Sequence, residues 1–254
     1  MYDIERQNRI LELLNQNKNK ALSVTELANA VYASAATIRR DLSKMEQKGL
    51  VVRTFGAVTL NPAPINKETS FEFRESSNVV QKRALCKKAA AFIRDNSSIF
   101  IDSSSTLLNI VPYLGTLNKV TILTNGLFLA SRIIAETNHE VILCGGTVAP
   151  NTNSIAGTLA VSNLLRFHPD YCLLSTAAID LNSGIMENTV ESAEIKRIML
   201  AQCHQSICVV DDSKFGKRAL FEAAPLESVD ILISDHEFNE DEKKILAQKH
   251  TEIA

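Results

Sequence analysis

The sequence has no run approaching ~18 uninterrupted apolar residues, and Met1-Tyr2-Asp3-Ile4-Glu5-Arg6 lacks the basic start and apolar stretch of a signal peptide. The expectation is a cytoplasmic chain that meets no membrane. It also lacks any Cys-x-x-Cys pair. Its five cysteines, Cys86, Cys144, Cys172, Cys203 and Cys208, are odd in number and scattered, so neither a disulfide framework nor a zinc site is indicated. They read as buried or indifferent thiols, and no metal or cofactor is expected. A large charge of one sign is missing too, the formal net charge being -2. That total conceals a division. Residues 1–60 carry nine Lys/Arg and six Asp/Glu, a net +3, and the remainder carries -5. A mildly basic head on an acidic body fits a DNA-binding head. No internal repeat or low-complexity tract interrupts the chain.

With 254 residues, 45% of them hydrophobic and 22% charged, the chain can bury a real core and has the length of two domains. Ile10, Leu13 and Leu14 lie at helical spacing in Arg6–Leu14, ahead of an Asn/Lys-rich stretch from Asn15 to Lys20. Ser23-Val24-Thr25-Glu26 reads as a capping box that opens a short helix to about Ala30. After a turn through Val31 to Ala33, Ser34 caps a third helix. There Ile38, Leu42 and Met45 share one face and Arg40, Lys44 and Gln47 point away. Gly49 stops that helix. Leu50 to Arg53 and Ala57 to Leu60 can then pair as a hairpin around Thr54-Phe55-Gly56, which completes a winged helix.

The aperiodic, largely polar segment Asn61 to Ser70, with two prolines, marks a linker. The domain organisation is thus a DNA-binding head over 1–60, a linker over 61–74 and a sensor and oligomerisation domain over 75–254. Val80 to Ile93 reads as a helix with Leu85, Ala89 and Phe92 inward and Lys82, Lys87, Lys88 and Arg94 outward, a basic face taken as solvated. Six apolar runs follow: Ser98–Ile101, Val120–Thr124, Glu140–Cys144, Tyr171–Ser175, Ser206–Val210 and Val229–Ser234. Short buried strands alternating with helices predict an α/β domain with a parallel sheet covered on both faces. In such sheets ligands bind beyond the carboxyl ends of the strands.

The third helix begins Ser34-Ala35-Ala36-Thr37-Ile38-Arg39-Arg40-Asp41-Leu42. A short polar start suits base edges and paired arginines suit phosphates, although on an isolated helix the arginines could merely pair with Asp41 and Glu46. Thr37 to Leu42, then Gly49-Leu50-Val51 and Arg53-Thr54-Phe55-Gly56-Ala57, closely resemble the signature of the DeoR family of transcription regulators. The resemblance runs through essentially the whole chain. It implies that Ser34, Ala36, Thr37 and Arg40 face base edges or the groove and that Arg39, Lys44 and Arg53 hold phosphates. Family members usually carry a histidine and a Gly-Gly-Ala turn where this chain has Thr54 to Ala57, so the wing tip departs from the pattern.

In the second domain the first strand ends in Asp102-Ser103-Ser104-Ser105-Thr106, ahead of a helical pattern. Hydroxyls and free amides at a helix start suit a phosphate, and they also suit simple capping. The next strands end in Thr124-Asn125-Gly126 and Gly145-Gly146-Thr147, where backbone can approach a ligand or simply turn. Taken together the three endings favour a phosphosugar cleft. The family's sensor domain is similar to ribose-5-phosphate isomerase. That likeness implies an effector site drawn from Asp102, Ser103, Ser104, Ser105, Thr106, Thr124, Asn125, Gly145, Gly146, Ala178, Asp180, Glu191, Lys196 and Lys214. Ser104 and Ala178 replace glycines usual in the family. Glu191, Glu194 and Lys196 read equally as an exposed helix face, Glu191 favouring the helix start.

The function expected is a DNA-binding regulator without catalytic residues, a repressor of a carbohydrate-catabolism operon. It would bind double-stranded operator DNA as a homo-oligomer and respond to a phosphorylated sugar. The rivals are a sugar-phosphate isomerase with a DNA-binding head, using Asp102 or Glu191 as a general base, and a DNA-binding protein whose second domain serves only assembly.

Overall fold

The computed structural model describes residues 3–16, 21–47, 50–54, 56–60, 71–149 and 152–254. Gly49, Phe55 and the linker segment 61–70 lie outside the described residues, as do 17–20 of the Asn/Lys-rich stretch. The chain divides into two compact units, Met1–Ser77 and Asn78–Ala254.

The first unit contains α1 (Asp3–Gln16), β1 (Leu22–Ser23), α2 (Val24–Ala30), α3 (Ala35–Gln47), β2 (Val51–Thr54), β3 (Ala57–Leu60) and α4 (Phe71–Ser76). Helix α4 thus takes up the end of the segment read as linker. The apolar stripes of the helices meet in one core, in which Ile10, Leu14, Leu27, Ile38, Leu42 and Met45 are buried with Val51 and Val58 of the wing. At Ser23 both bonds of the capping box form. The Glu26 amide donates to Ser23 Oγ at 3.1 Å and the Ser23 amide to Glu26 Oε2 at 2.7 Å, which lowers the pKa of Glu26. The hairpin gains a third strand, β1, in the antiparallel order β1-β3-β2. Three helices with this small sheet are a winged helix-turn-helix.

The second unit opens with α5 (Val79–Ala90) and β4 (Ser98–Ile101); a 3-10 turn, Leu107–Ile110, then leads into α6 (Val111–Leu114). Next come β5 (Thr121–Thr124), α7 (Leu127–Glu136), β6 (Glu140–Leu143), the hairpin β7 (Thr147–Ala149) and β8 (Ser154–Ala156), α8 (Thr158–Leu164) and β9 (Tyr171–Leu174). The rest is β10 (Ala178–Asp180), β11 (Gly184–Glu187), α9 (Val190–Gln202), β12 (Gln205–Val210), β13 (Phe221–Ala224), β14 (Ile231–Ser234), α10 (Glu240–Gln248) and β15 (Glu252–Ile253).

Seven strands form one sheet in the order β15-β14-β12-β9-β4-β5-β6, every pair parallel. Phe100, Leu123, Cys172, Cys208 and Leu232 pack in one cluster with α8 and α9, and the alternate residues Ile99, Ile122, Leu173, Ile207 and Ile233 are buried as well. Both faces are therefore covered, as a parallel sheet requires. The chain lays down β4 in the middle, adds β5 and β6 on one side, then crosses to β9 and continues outward. The order reverses between β4 and β9, where doubly wound sheets open a crevice at the carboxyl ends. Beside this sheet lies an antiparallel ribbon, β10-β11-β13. Gly184 holds that ribbon close. Its φ is +90°, and a Cβ there would lie 2.2 Å from the Ala224 carbonyl oxygen, so no other residue fits.

Candidate functional site

In the head, Ser34 caps α3 by accepting from the Thr37 amide at 3.2 Å, and its hydroxyl also meets that of Thr37 at 2.9 Å. Ser34, Ala36, Arg39, Arg40 and Lys44 are exposed and Thr37 is half-buried. Asp41 does not serve the arginines beside it. It is buried, and Arg6 Nε of α1 donates to it at 2.6 Å, with Gln7 Nε2 at 3.3 Å. Glu46 lies 3.8 Å from Arg53 on β2, an exposed pair worth little. Among the described residues neither Arg39 nor Arg40 has an ion pair. The start of α3 thus presents small side chains and two exposed cations.

In the second unit, the loop after β4 occupies the crevice at the strand-order reversal. Its first amides are held from inside. The Ser103 N–H donates to Asn125 Oδ1 at 3.0 Å, the Ser104 N–H to Asp102 Oδ1 at 3.1 Å, and the Leu107 N–H to Ser104 Oγ at 3.2 Å. Among the described residues the amides of Ser105 and Thr106 have no such partner. Asn125 is itself pinned, its Nδ2 donating to the Ile155 carbonyl at 3.1 Å and its carbonyl accepting from the Ile155 amide at 2.7 Å. Gly126 lets the two loops touch, since a Cβ there would stand 3.0 Å from Ser103 Cα.

Lys82 corrects the sequence reading. Expected outward on a solvated face, it is instead buried, 3% exposed, and its ammonium donates to Ser105 Oγ at 3.2 Å. It occupies the inner stripe of α5 with Leu85, Cys86 and Ala89, whereas Lys87, Lys88 and Arg94 are exposed and Phe92 is half-buried. Burial pushes the Cys86 thiol up to about 12 despite the nearby Lys82, so it stays a neutral donor to the Thr106 carbonyl at 3.2 Å. The loop therefore meets a buried cation.

Beneath the loop lies a buried ion cluster that sequence reasoning missed in part. Lys196 Nζ of α9 is 3.0 Å from Asp102 Oδ2 and donates to Glu187 Oε1 at 2.7 Å. Burial alone would lower the ammonium's pKa, but Glu187 and then Asp102 more than reverse this, and it lies above the usual lysine value. Glu187 Oε1 also accepts from the Ala177 amide at 3.2 Å, and Asp102 Oδ2 from the Ser175 amide at 3.4 Å. Asp102 thus ties β4 to β9 and α9.

The other residues singled out disperse. Thr124 Oγ1 accepts from the Gly126 amide within its own turn, and Asp180 accepts from the Asn182 and Ser183 amides in its own turn. Gly146, at φ +130°, is needed by the β7–β8 hairpin, because a Cβ would stand 2.8 Å from the Ala156 carbonyl oxygen; Gly145 beside it is half-buried. Ala178 is buried in β10, opposite Met186. Glu191 and Glu194 are exposed on α9, and Lys214 is half-buried on the 3-10 turn beyond β12, two strands from β4. The site's nucleus is therefore Ser103 to Thr106, Asn125 and Lys82, backed by Asp102, Lys196 and Glu187.

Among the described residues no helix is long and apolar enough to cross a membrane, and no group of three or more His, Cys, Asp or Glu is placed to hold a metal. The family model described as the DeoR-like helix-turn-helix domain matches residues 6–63, and that described as the DeoR C terminal sensor domain matches residues 77–236. The chain is 32% identical to the HTH-type transcriptional regulator GolR of Listeria innocua, over 94% of this chain and 93% of that one. It is 31% identical to the HTH-type transcriptional repressor CsqR of Escherichia coli K12, over 84% of this chain and 81% of the other. Among solved structures, ribose 5-phosphate isomerase A from Methanocaldococcus jannaschii is 14% identical, covers 56% of each chain and gives a TM-score of 0.42.

Proposed function

The chain belongs to the DeoR family of helix-turn-helix transcription regulators with a C-terminal sensor domain, and on that premise we propose that it represses a carbohydrate-catabolism operon under the control of a phosphorylated sugar. Its operator would be double-stranded DNA bound by a homo-oligomer in the cytoplasm, since helix-turn-helix readers match two-fold half-sites. Ser34, Ala36, Thr37 and Arg40 face the groove in this reading, and Arg39, Lys44 and Arg53 hold phosphates.

The observation that carries the effector half is the Lys82 ammonium, buried and directed at Ser105 in a hydroxyl-rich loop. A phosphate seated there would gain a charge-assisted bond from Lys82, the amides of Ser105 and Thr106, and their hydroxyls. Asn125 acts by holding the loop. Lys196 bridges Asp102 and Glu187 in a buried ion cluster of one cation to two carboxylates, so the countercharge for the phosphate comes from Lys82. Of the more distant candidates, Gly145 and Lys214 are left to contact the rest of the sugar, while Ala178 and Asp180 serve the β10–β11 turn.

A sensor rather than an isomerase fits the same geometry. Asp102 and Glu187, the carboxylates nearest the loop, already accept from Lys196 and from backbone amides, which leaves neither poised as a general base. Glu191 stands exposed on α9.

A thermal-shift screen of the whole chain against phosphorylated sugars, each beside its unphosphorylated twin, tests the proposal. Saturation at 100 times the dissociation constant stabilises the bound state by ~2.7 kcal/mol. Only phosphorylated sugars are expected to shift the melting curve, and Ser105→Ala to remove the shift. On a duplex selected by the wild-type chain from a random-sequence pool, Arg40→Ala should cost roughly 1 to 3 kcal/mol of affinity if it reads a base. A shift from unphosphorylated sugars alone, or unaltered DNA affinity of Arg40→Ala, would overturn the corresponding half.

A further inference from the structure

The turn that joins α2 to α3 holds a residue in a strained backbone conformation whose side chain, among the described residues, has no hydrogen-bond partner in the head. Tyr32 has φ +53°, and the residue is 95% exposed. The turn demands that backbone. Val31 closes α2 by donating its amide to the Leu27 carbonyl at 3.1 Å, and the Ala33 amide reaches back to the Ala28 carbonyl at 3.0 Å, so the residue between them must turn left-handed. Glycine meets that demand freely and asparagine nearly so; Asn78, Asn96 and Asn153 are three of the other described residues with positive φ. A large aromatic does neither. Exposure alone would be ordinary for a single tyrosine, but a large aromatic held in left-handed backbone points to a use outside the domain.

Its position says what that partner is. Tyr32 precedes the α3 cap Ser34 by two residues, and the exposed Ala36, Arg39 and Arg40 follow on the next turns. We propose that Tyr32 contacts the DNA backbone beside the groove that α3 enters, its phenol O–H donating to a phosphate oxygen and its ring lying along the adjoining sugar. This inference rests on the reading of α3 as the DNA-reading helix. Tyrosine suits such a contact because its hydroxyl is a phosphate donor, it carries no charge, and two side-chain torsions are all that binding must order. The contact would position the head without reading sequence. As an uncharged donor it would also release no counterion, so it strengthens binding equally at all salt concentrations.

The test uses the full chain and a duplex of about 30 base pairs selected from a random-sequence pool by the wild-type protein. Affinity is measured across a salt series and head stability by circular dichroism melting. Tyr32→Gly and Tyr32→Asn are expected to melt no lower than wild type, because each accepts the left-handed backbone, while both lose affinity about tenfold. Tyr32→Phe should share most of that loss. None should alter the slope of log affinity against log salt, whereas Arg39→Ala should reduce it by about 1. Wild-type affinity in Tyr32→Gly and Tyr32→Asn, or in Tyr32→Phe, overturns the contact and leaves the DNA-binding reading standing. A wild-type chain that selects no duplex removes both.

Discussion

At the scale of single residues, two buried lysines shape the sensor unit. Lys196 is shared by two carboxylates and stitches β4, β11 and α9 together. Removing one member of such a cluster would leave buried charge without its counterpart, at a cost of about 3 to 5 kcal/mol, so its substitution reports on folding before function. Lys82 is the sharper probe. Lys82→Met keeps the stem's packing on α5 and removes the ammonium beside Ser105. Titration calorimetry with the best phosphorylated sugar from the screen should show affinity lower by about 1.5 to 3 kcal/mol, with the exposed Lys87→Met as an unaffected control. Equal affinity in the two variants would take Lys82 out of the site. The signal for Lys82 was present in the spacing. Positions 82, 85, 86, 89 and 93 fall on one helical stripe, and all five are buried. The general expectation that lysines face water outweighed that spacing. Glu187 had no comparable signal, since the groups that bind it are the Lys196 ammonium nine residues further on and the Ala177 amide ten residues back.

Whole elements divide by how local their causes are. The helix-turn-helix was legible because its instructions lie within a few residues: the Ser23 and Glu26 box, the stripe Ile38, Leu42 and Met45, and the cap at Ser34. Ser23→Ala should accordingly destabilise the head by about 1 kcal/mol, read as a lower urea midpoint for its helical signal with the sensor unit unmoved. A midpoint unchanged within error would mean that Glu26 alone holds the start of α2. The six apolar runs were legible for the same reason. The strands β1, β13 and β15 were not, because each is a strand only by virtue of a partner distant in sequence, and the short hairpin β10-β11 was not read either. Gly146 shows the converse. A glycine expected to admit a ligand is needed for a hairpin to pack, and local sequence does not distinguish the two uses.

For the molecule as a whole, the governing fact is that each unit buries its own apolar residues, the head around Ile10, Leu27, Ile38 and Met45 and the sensor unit around both faces of its sheet, with Phe100, Cys172, Ile179 and Met199 on one of them. Calorimetry should resolve two unfolding transitions. A phosphorylated sugar should raise the sensor's transition alone, and a duplex the head's. A single transition that every ligand moves would show that the two units unfold as one. The parallel sheet could be foreseen from the alternation of apolar runs with helices. Its strand order could not, since nothing local to β9 says that it returns to the far side of β4.

That return has a temporal consequence. Where Asp102 of the β4 loop meets Ser175 after β9, the bonded groups are 73 residues apart in the chain. The intervening loop must close before they can meet, which makes this seam slow to form. A metabolite held by the β4 loop as proposed would bind only once that loop is in place, so it would act on the lifetime of the closed seam and not on the speed of closure. Each excursion that parts β4 from β9 offers the chain to proteases, and an occupied loop would make such excursions rarer. Metabolite supply would then set how long each molecule survives, as well as what it does while it lasts.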